Sequence, residues 1–184
     1  MKKNVILSMM LIVMATSAQT NAQGNAIGAE VGLGSLKYDK ASGDDSTDVS
    51  WTGSLYYERS LMPYLGISFG LHTGDGSSIK TSTIGSATKE DAKLDYTAAS
   101  VSAVTYLNLF QNHRLYGSLG LNYNNVELTH DSSKLVDDDG FGYVIRAGWE
   151  YQISEPLSVN LGLQYLSMED VDLTTTNFGV KMRF

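Results

Sequence analysis

The sequence predicts an all-β fold, an eight-stranded antiparallel up-and-down transmembrane β-barrel with short periplasmic turns and longer extracellular loops. Three observations carry that expectation. Apolar and polar residues alternate with period two through eight segments, and the connections between the segments alternate between short and long. Beyond the N-terminus no apolar run approaches the roughly 20 residues of a spanning helix, so any crossing must be made by strands of about 9–11 residues.

The elements follow in chain order. Lys2 and Lys3, an apolar run from Val5 to Met14 and a small-residue stretch read as a signal peptide over residues 1–22, with cleavage after Ala22 favoured over Ala18. The barrel domain then occupies residues 23–184. Removing residues 1–22 takes away Lys2 and Lys3 and no acid, so the formal charge of −7 becomes −9, a poor balance for binding nucleic acid. The chain has no cysteine, so neither a disulfide framework nor a lipoprotein anchor is expected.

The first strand is expected over Ala26 to Tyr38. Its glycines Gly28, Gly32 and Gly34 share one face of a strand, which argues against a phosphate-cradling loop and for relief of crowding inside a barrel. Strands follow over Val49 to Arg59 and Tyr64 to Thr73. In the latter, Leu65, Ile67, Phe69 and Leu71 alternate with Gly66, Ser68, Gly70 and His72. The fourth, Leu94 to Phe110, changes phase. Tyr96 and Ala98 lie on one parity, Val101, Ala103, Leu107 and Leu109 on the other, and a bulge near Ala99 is the expected reconciliation. Arg114 to Thr129, Gly140 to Ile153, Leu157 to Met168 and Leu173 to Phe184 complete the set. Short links fall at Leu61 to Pro63, Gln111 to His113 and Ser154 to Pro156. Longer polar links fall at Asp39 to Asp48, Gly74 to Lys93, His130 to Asp139 and, more briefly, Glu169 to Asp172.

Alternation alone does not say which face meets lipid. Aromatic residues decide for an outward apolar face, because they gather near both strand ends as interfacial belts do. Trp51, Tyr96, Tyr123, Phe141 and Tyr165 fall toward the outer end, and Tyr57, Tyr64, Trp149, Tyr151 and Phe184 toward the periplasmic end. The other face carries small residues and opposite charges. Glu30, Glu58, Arg146, Glu150, Lys181 and Arg183 are therefore expected as an ionic cluster in the barrel interior, with Glu30 paired to Lys181 across the closing strands. The alternative is a soluble periplasmic ligand-binding barrel with both faces inverted, and a small diffusion channel is the minority reading of the charged lumen.

The whole pattern resembles the small outer-membrane barrels of the OmpA-like and OmpX/Ail type. The terminal strand Asn177-Phe178-Gly179-Val180-Lys181-Met182-Arg183-Phe184 carries the resemblance most specifically. It implies that Phe178, Val180, Met182 and Phe184 form the carboxy-terminal signal read by the outer-membrane assembly machinery. With no peptidoglycan-binding domain after Phe184, it implies a barrel standing alone, in the outer membrane of a Gram-negative cell.

Chemistry is sparse. His130-Asp131-Ser132 resembles the His-x-Ser element of the lipid A deacylases, with Glu127 as the acid that would orient the base, but Ser133 stands where that family has Asn. A polar turn is the favoured reading, so no catalytic residue and no cofactor is expected. His72 and His113 have no evident partner. Asp44, Asp45, Asp48, Asp137, Asp138, Asp139, Glu169, Asp170 and Asp172 make the loops acidic, suited to bridging lipopolysaccharide through divalent ions. Asp137-Asp138-Asp139-Gly140 lacks the ligand spacing of a calcium loop, so no dedicated metal site is expected. The expected partners are outer-membrane lipid and lipopolysaccharide, the assembly machinery, and a host or cell-surface ligand.

Overall fold

Period-two patterns of this kind form a stable structure only when every strand finds two neighbours, and closure of the sheet supplies them. A computed structural model describes residues 24–38, 46–76, 92–130, 133–168 and 171–184, and it is a closed antiparallel barrel in simple meander order. Its strands are β1 (Asn25–Tyr38), β2 (Ser46–Met62), β3 (Leu65–Gly76), β4 (Ala92–Phe110), β5 (His113–His130), β6 (Ser133–Gln152), β7 (Leu157–Met168) and β8 (Val171–Arg183). The ends meet where β1 pairs with β8, and the Phe184 N–H donates to the Asn25 carbonyl at 2.8 Å. The signal-peptide segment 1–22 and the loops 39–45 and 77–91 lie outside the described residues.

The apolar parity faces outward. Val31, Leu33, Leu119, Leu121, Leu161 and Leu163 are exposed on the wall, while Glu30, Glu58, Glu150 and Lys181 are buried in the lumen. A continuous apolar exterior around buried charge is the inverse of a soluble barrel, and it disposes of the ligand-carrying alternative. Ring contacts mark two levels on this wall. Tyr123 meets Phe141 and Tyr143 meets Tyr165 toward the outer end, and Phe110, His113, Trp149 and Tyr151 cluster at the periplasmic end. Substituting Leu161 by Arg, in the middle of β7's outward stripe, should cost about 2–4 kcal/mol of barrel stability. Thr97→Arg on the outer collar should change it by less than about 0.5 kcal/mol. Urea unfolding in lipid vesicles, followed by gel mobility, measures both.

Expectations are corrected in two places, first along β4 and in the aromatic belts. β4 has no bulge at Ala99, since its register with β3 runs unbroken from Leu65↔Thr105 to Gly76↔Leu94, and the only irregularity lies at Asn108/Phe110. The phase changes because the environment changes. Above the level of the outer aromatics the lumen is apolar and the outer wall polar, so the same backbone parity takes opposite residue types. Leu36, Leu94, Tyr96, Val126, Leu166 and Leu173 belong to one buried apolar cluster there, with Asp75, Asp95, Asn125, Glu127 and Asp172 on the outward parity. Tyr96 is thus a core residue and not part of the outer belt. Tyr57 likewise leaves the inner belt, being buried with its hydroxyl donating to Asn25 Oδ1 at 2.8 Å.

The link His130 to Asp139 is the second correction. β5 and β6 continue pairing through Asn125↔Asp139 and Glu127↔Asp137 to His130↔Ser133, with one irregularity beside Thr129. Acidic residues discourage burial, not extended backbone, so acidity alone does not end a strand. The rim is consequently uneven. β6 pairs with β7 only from Gln152↔Ser158 to Val144↔Leu166, so among the described residues the arm Ser133–Tyr143 is paired in register with β5 alone.

Candidate functional site

The inner wall below the apolar core gathers the charge of the barrel. Strand alternation puts Glu30 on β1, Glu58 on β2, Arg146 and Glu150 on β6, and Lys181 and Arg183 on β8 all on the inward parity, together with Arg114 of β5. The antiparallel register decides which of them meet. In the closing pair Lys181 stands opposite Gly28 and Glu30 opposite Gly179, so the expected Glu30–Lys181 bridge does not form. Each instead reaches across the lumen.

Lys181 Nζ donates to Glu58 Oε2 at 3.0 Å, to Glu150 Oε2 at 3.0 Å and to the Tyr106 hydroxyl at 2.9 Å. Three ammonium N–H bonds meet three acceptors, which is the condition for burying a lysine charged. Tyr106 passes its own proton toward Glu58 Oε1. Glu150, fully buried, takes a second and third cation on Oε1. Arg114 donates there from Nε at 2.9 Å and Nη2 at 2.7 Å, and Arg183 also pairs there. The Arg114 guanidinium lies 4.2 Å from the centroid of the Tyr106 ring, a cation–π contact. Glu30 forms a second node, paired with Arg146 and accepting from Asn160 Nδ2 at 2.8 Å.

All six charged residues singled out in the sequence therefore stand in the lumen, split into two nodes. Arg114 completes the larger one. Its even numbering, shared with the inward Tyr116 and Ser118, was the available signal, and its place beside a short turn hid it.

The histidines have partners that sequence reasoning did not find. His72 sits midway up the lumen with its ring nitrogens 2.9 Å from Ser54 Oγ and 2.9 Å from Ser100 Oγ. His113 accepts from the Trp149 indole at 3.2 Å on the outer wall. His130 closes β5 opposite Ser133, and Asp131 and Ser132 lie outside the described residues. Among the described residues no group of three or more His, Asp or Glu is placed to hold a metal ion.

Large lumen side chains need room, and glycine provides it. A Cβ on Gly148 would stand 2.7 Å from Tyr116 Cζ and 2.7 Å from Gly162 Cα, and one on Gly28 would overlap the Tyr56 ring. On the outer wall of β8, Phe178, Val180, Met182 and Phe184 are exposed toward lipid, with the chain end tied to β1.

Comparison with known proteins places this geometry. Residues 5–184 match the family model described as outer membrane protein beta-barrel domain. A search of the curated proteins gave no significant match. Among solved structures, Neisserial surface protein A aligns with a TM-score of 0.65 at 15% identity, covering 90% of this chain and 100% of that one. Ail, the attachment invasion locus protein of Yersinia pestis, aligns at 0.55 and 14% identity, over 88% of this chain and 99% of its own. OprG of Pseudomonas aeruginosa aligns at 0.54 and 16%, over 90% and 98%. At these identities the likeness is one of fold.

Proposed function

The chain belongs to the outer membrane protein β-barrel domain family and resides in the outer membrane, and from that premise we propose a non-enzymatic role, a rigid barrel that carries an acidic outer rim to partners at the cell surface. The observation that supports this reading is the continuation of the strands past their lipid-facing stripe, with a polar outer wall and an apolar core. Asp75, Asp95 and Glu127 stand directly opposite one another across β3, β4 and β5. Three acidic side chains in one row concentrate negative potential on that stretch of the outer wall.

The chemistry that fits such a rim is cationic, either basic groups of a surface ligand in adhesion or lipopolysaccharide phosphates bridged by divalent ions in envelope integrity. Ail has been solved in complex with the heparin analogue sucrose octasulfate. A polyanion of that kind would be repelled by a rim this acidic, so the shared fold does not carry that ligand over. In the same reading, Phe178, Val180, Met182 and Phe184 serve as the signal read by the assembly machinery, and the lumen charges are a structural filling.

Replacing Asp137, Asp138 and Asp139 together by Asn tests the role of the rim. Outer-membrane recovery and the heat-dependent gel shift should persist, while attachment of expressing cells to cationic surfaces, or their resistance to chelators, should fall. Loss of neither would sink the proposal. Lipid A from cells carrying the parent or Ser132→Ala should be identical, and a difference would reinstate the hydrolase.

A further inference from the structure

We propose that the permeability barrier of this barrel is the apolar core at its outer end, and that the charged network beneath it is a hydrated vestibule open to the periplasm. The charged lumen invites the opposite assignment, in which ion pairs act as the gate. Three observations go against that.

The first is the shape of the apolar core. Leu36, Leu173, Leu166 and Val144 are direct cross-strand neighbours on β1, β8, β7 and β6, which makes one unbroken inward row over half the circumference. Leu94, Tyr96 and Val126 extend the cluster onto β4 and β5, and β2 completes the level with the buried, uncharged side chains of Ser50 and Thr52. On β3 there is only glycine at this level, and it leaves space that larger residues fill. A Cβ on Gly76 would stand 3.6 Å from Leu36 Cδ1, and one on Gly74 would stand 2.7 Å from the Tyr96 hydroxyl. The cluster contains no charged side chain, so an ion crossing it would shed its water without a compensating partner.

The second observation is at the opposite mouth. The cations of the larger node are partly exposed there, Arg114 at 23% and Arg183 at 18% of the side chain, whereas Glu150 behind them is at 0%. Solvent thus reaches the network from the periplasmic side.

The third lies between the two. Glu30 Oε2, Ser158 Oγ, Asn160 Oδ1, Thr175 Oγ1 and Asn177 Oδ1 are buried on the lumen wall of β1, β7 and β8 with no protein partner. Oxygens left in that state in native proteins are met by water. They extend the polar path from the periplasmic node up to the underside of the apolar core, where the Tyr96 hydroxyl is the one such oxygen among the described residues of the cluster.

Planar-bilayer recordings of the purified full chain test the assignment, with the heat-dependent gel shift certifying that each variant is closed. The parent should show no conductance steps. Leu166→Ser combined with Leu173→Ser should introduce steps that the parent lacks, and Leu36→Ser is the milder substitute if that pair does not fold. Glu58→Gln combined with Lys181→Met removes a cation and an anion together and should remain silent, with Arg183→Gln as its milder counterpart. Steps from a folded charge variant would overturn the proposal. So would silence from every folded variant of the apolar core. These outcomes are independent of whether the rim binds anything.

Discussion

Lys181→Met should destabilise the barrel by about 3–5 kcal/mol, because it leaves two buried carboxylates short of their shared cation. The side chain is nearly inaccessible, and its ammonium is the one group that joins Glu58, Glu150 and Tyr106. Glu150 keeps Arg114 and Arg183, so most of the loss should fall on Glu58, whose remaining donor is the Tyr106 hydroxyl. Adding Glu58→Gln to Lys181→Met should therefore recover a large part of the deficit, since the buried charge that lost its partner is gone. Urea titration in lipid vesicles, read by gel mobility, gives both values. A Lys181→Met barrel as stable as the parent would show the network to be inert.

Gly148→Val should be worse, costing at least about 3 kcal/mol or preventing closure, since its Cβ would be wedged between the Tyr116 ring and the backbone of β7. The neighbouring strand supplies the control. Gly117 also lies in the β5–β6 ladder, opposite Ala147, but on the outward parity, where an added Cβ meets nothing nearer than Thr105 Cγ2 at 3.8 Å. Gly117→Val should fold with near-parental stability. Equal effects from the two substitutions would mean that glycine acts in this sheet through backbone freedom and not through space.

The contrast also explains what could be read from the sequence. Strand number, order and the outward apolar face follow from period-two alternation, and in β7 that pattern runs without a break from Leu157 to Tyr165. The membership of the lumen cluster follows from the same parity. Its pairing does not, because the offset between Glu30 and Lys181 is fixed by how the barrel closes, and two residues of register separate Gly28↔Lys181 from Glu30↔Gly179. The extent of β5 and β6 was hidden for a different reason. Asp137 to Asp139 looks like loop to any reading that equates acidity with irregular backbone, whereas above the bilayer a strand carries carboxylates at no burial cost. Tyr96 misled for the same reason, since the meaning of an apolar residue reverses where the lipid ends.

The uneven rim has a consequence in time. Backbone amides of β6 from Val144 to Gln152 are held in a sheet with partners on both sides, whereas those from Ser133 to Tyr143 are paired in register with β5 alone among the described strands. Amide hydrogen exchange follows the free energy of local opening, and a ladder anchored on one side opens without disturbing the closed wall below it. A single strand should thus carry two kinetic regimes, minutes or faster in its outer arm and orders of magnitude slower beneath Val144. The border between them would be a clock reading of where the barrel stops being a barrel.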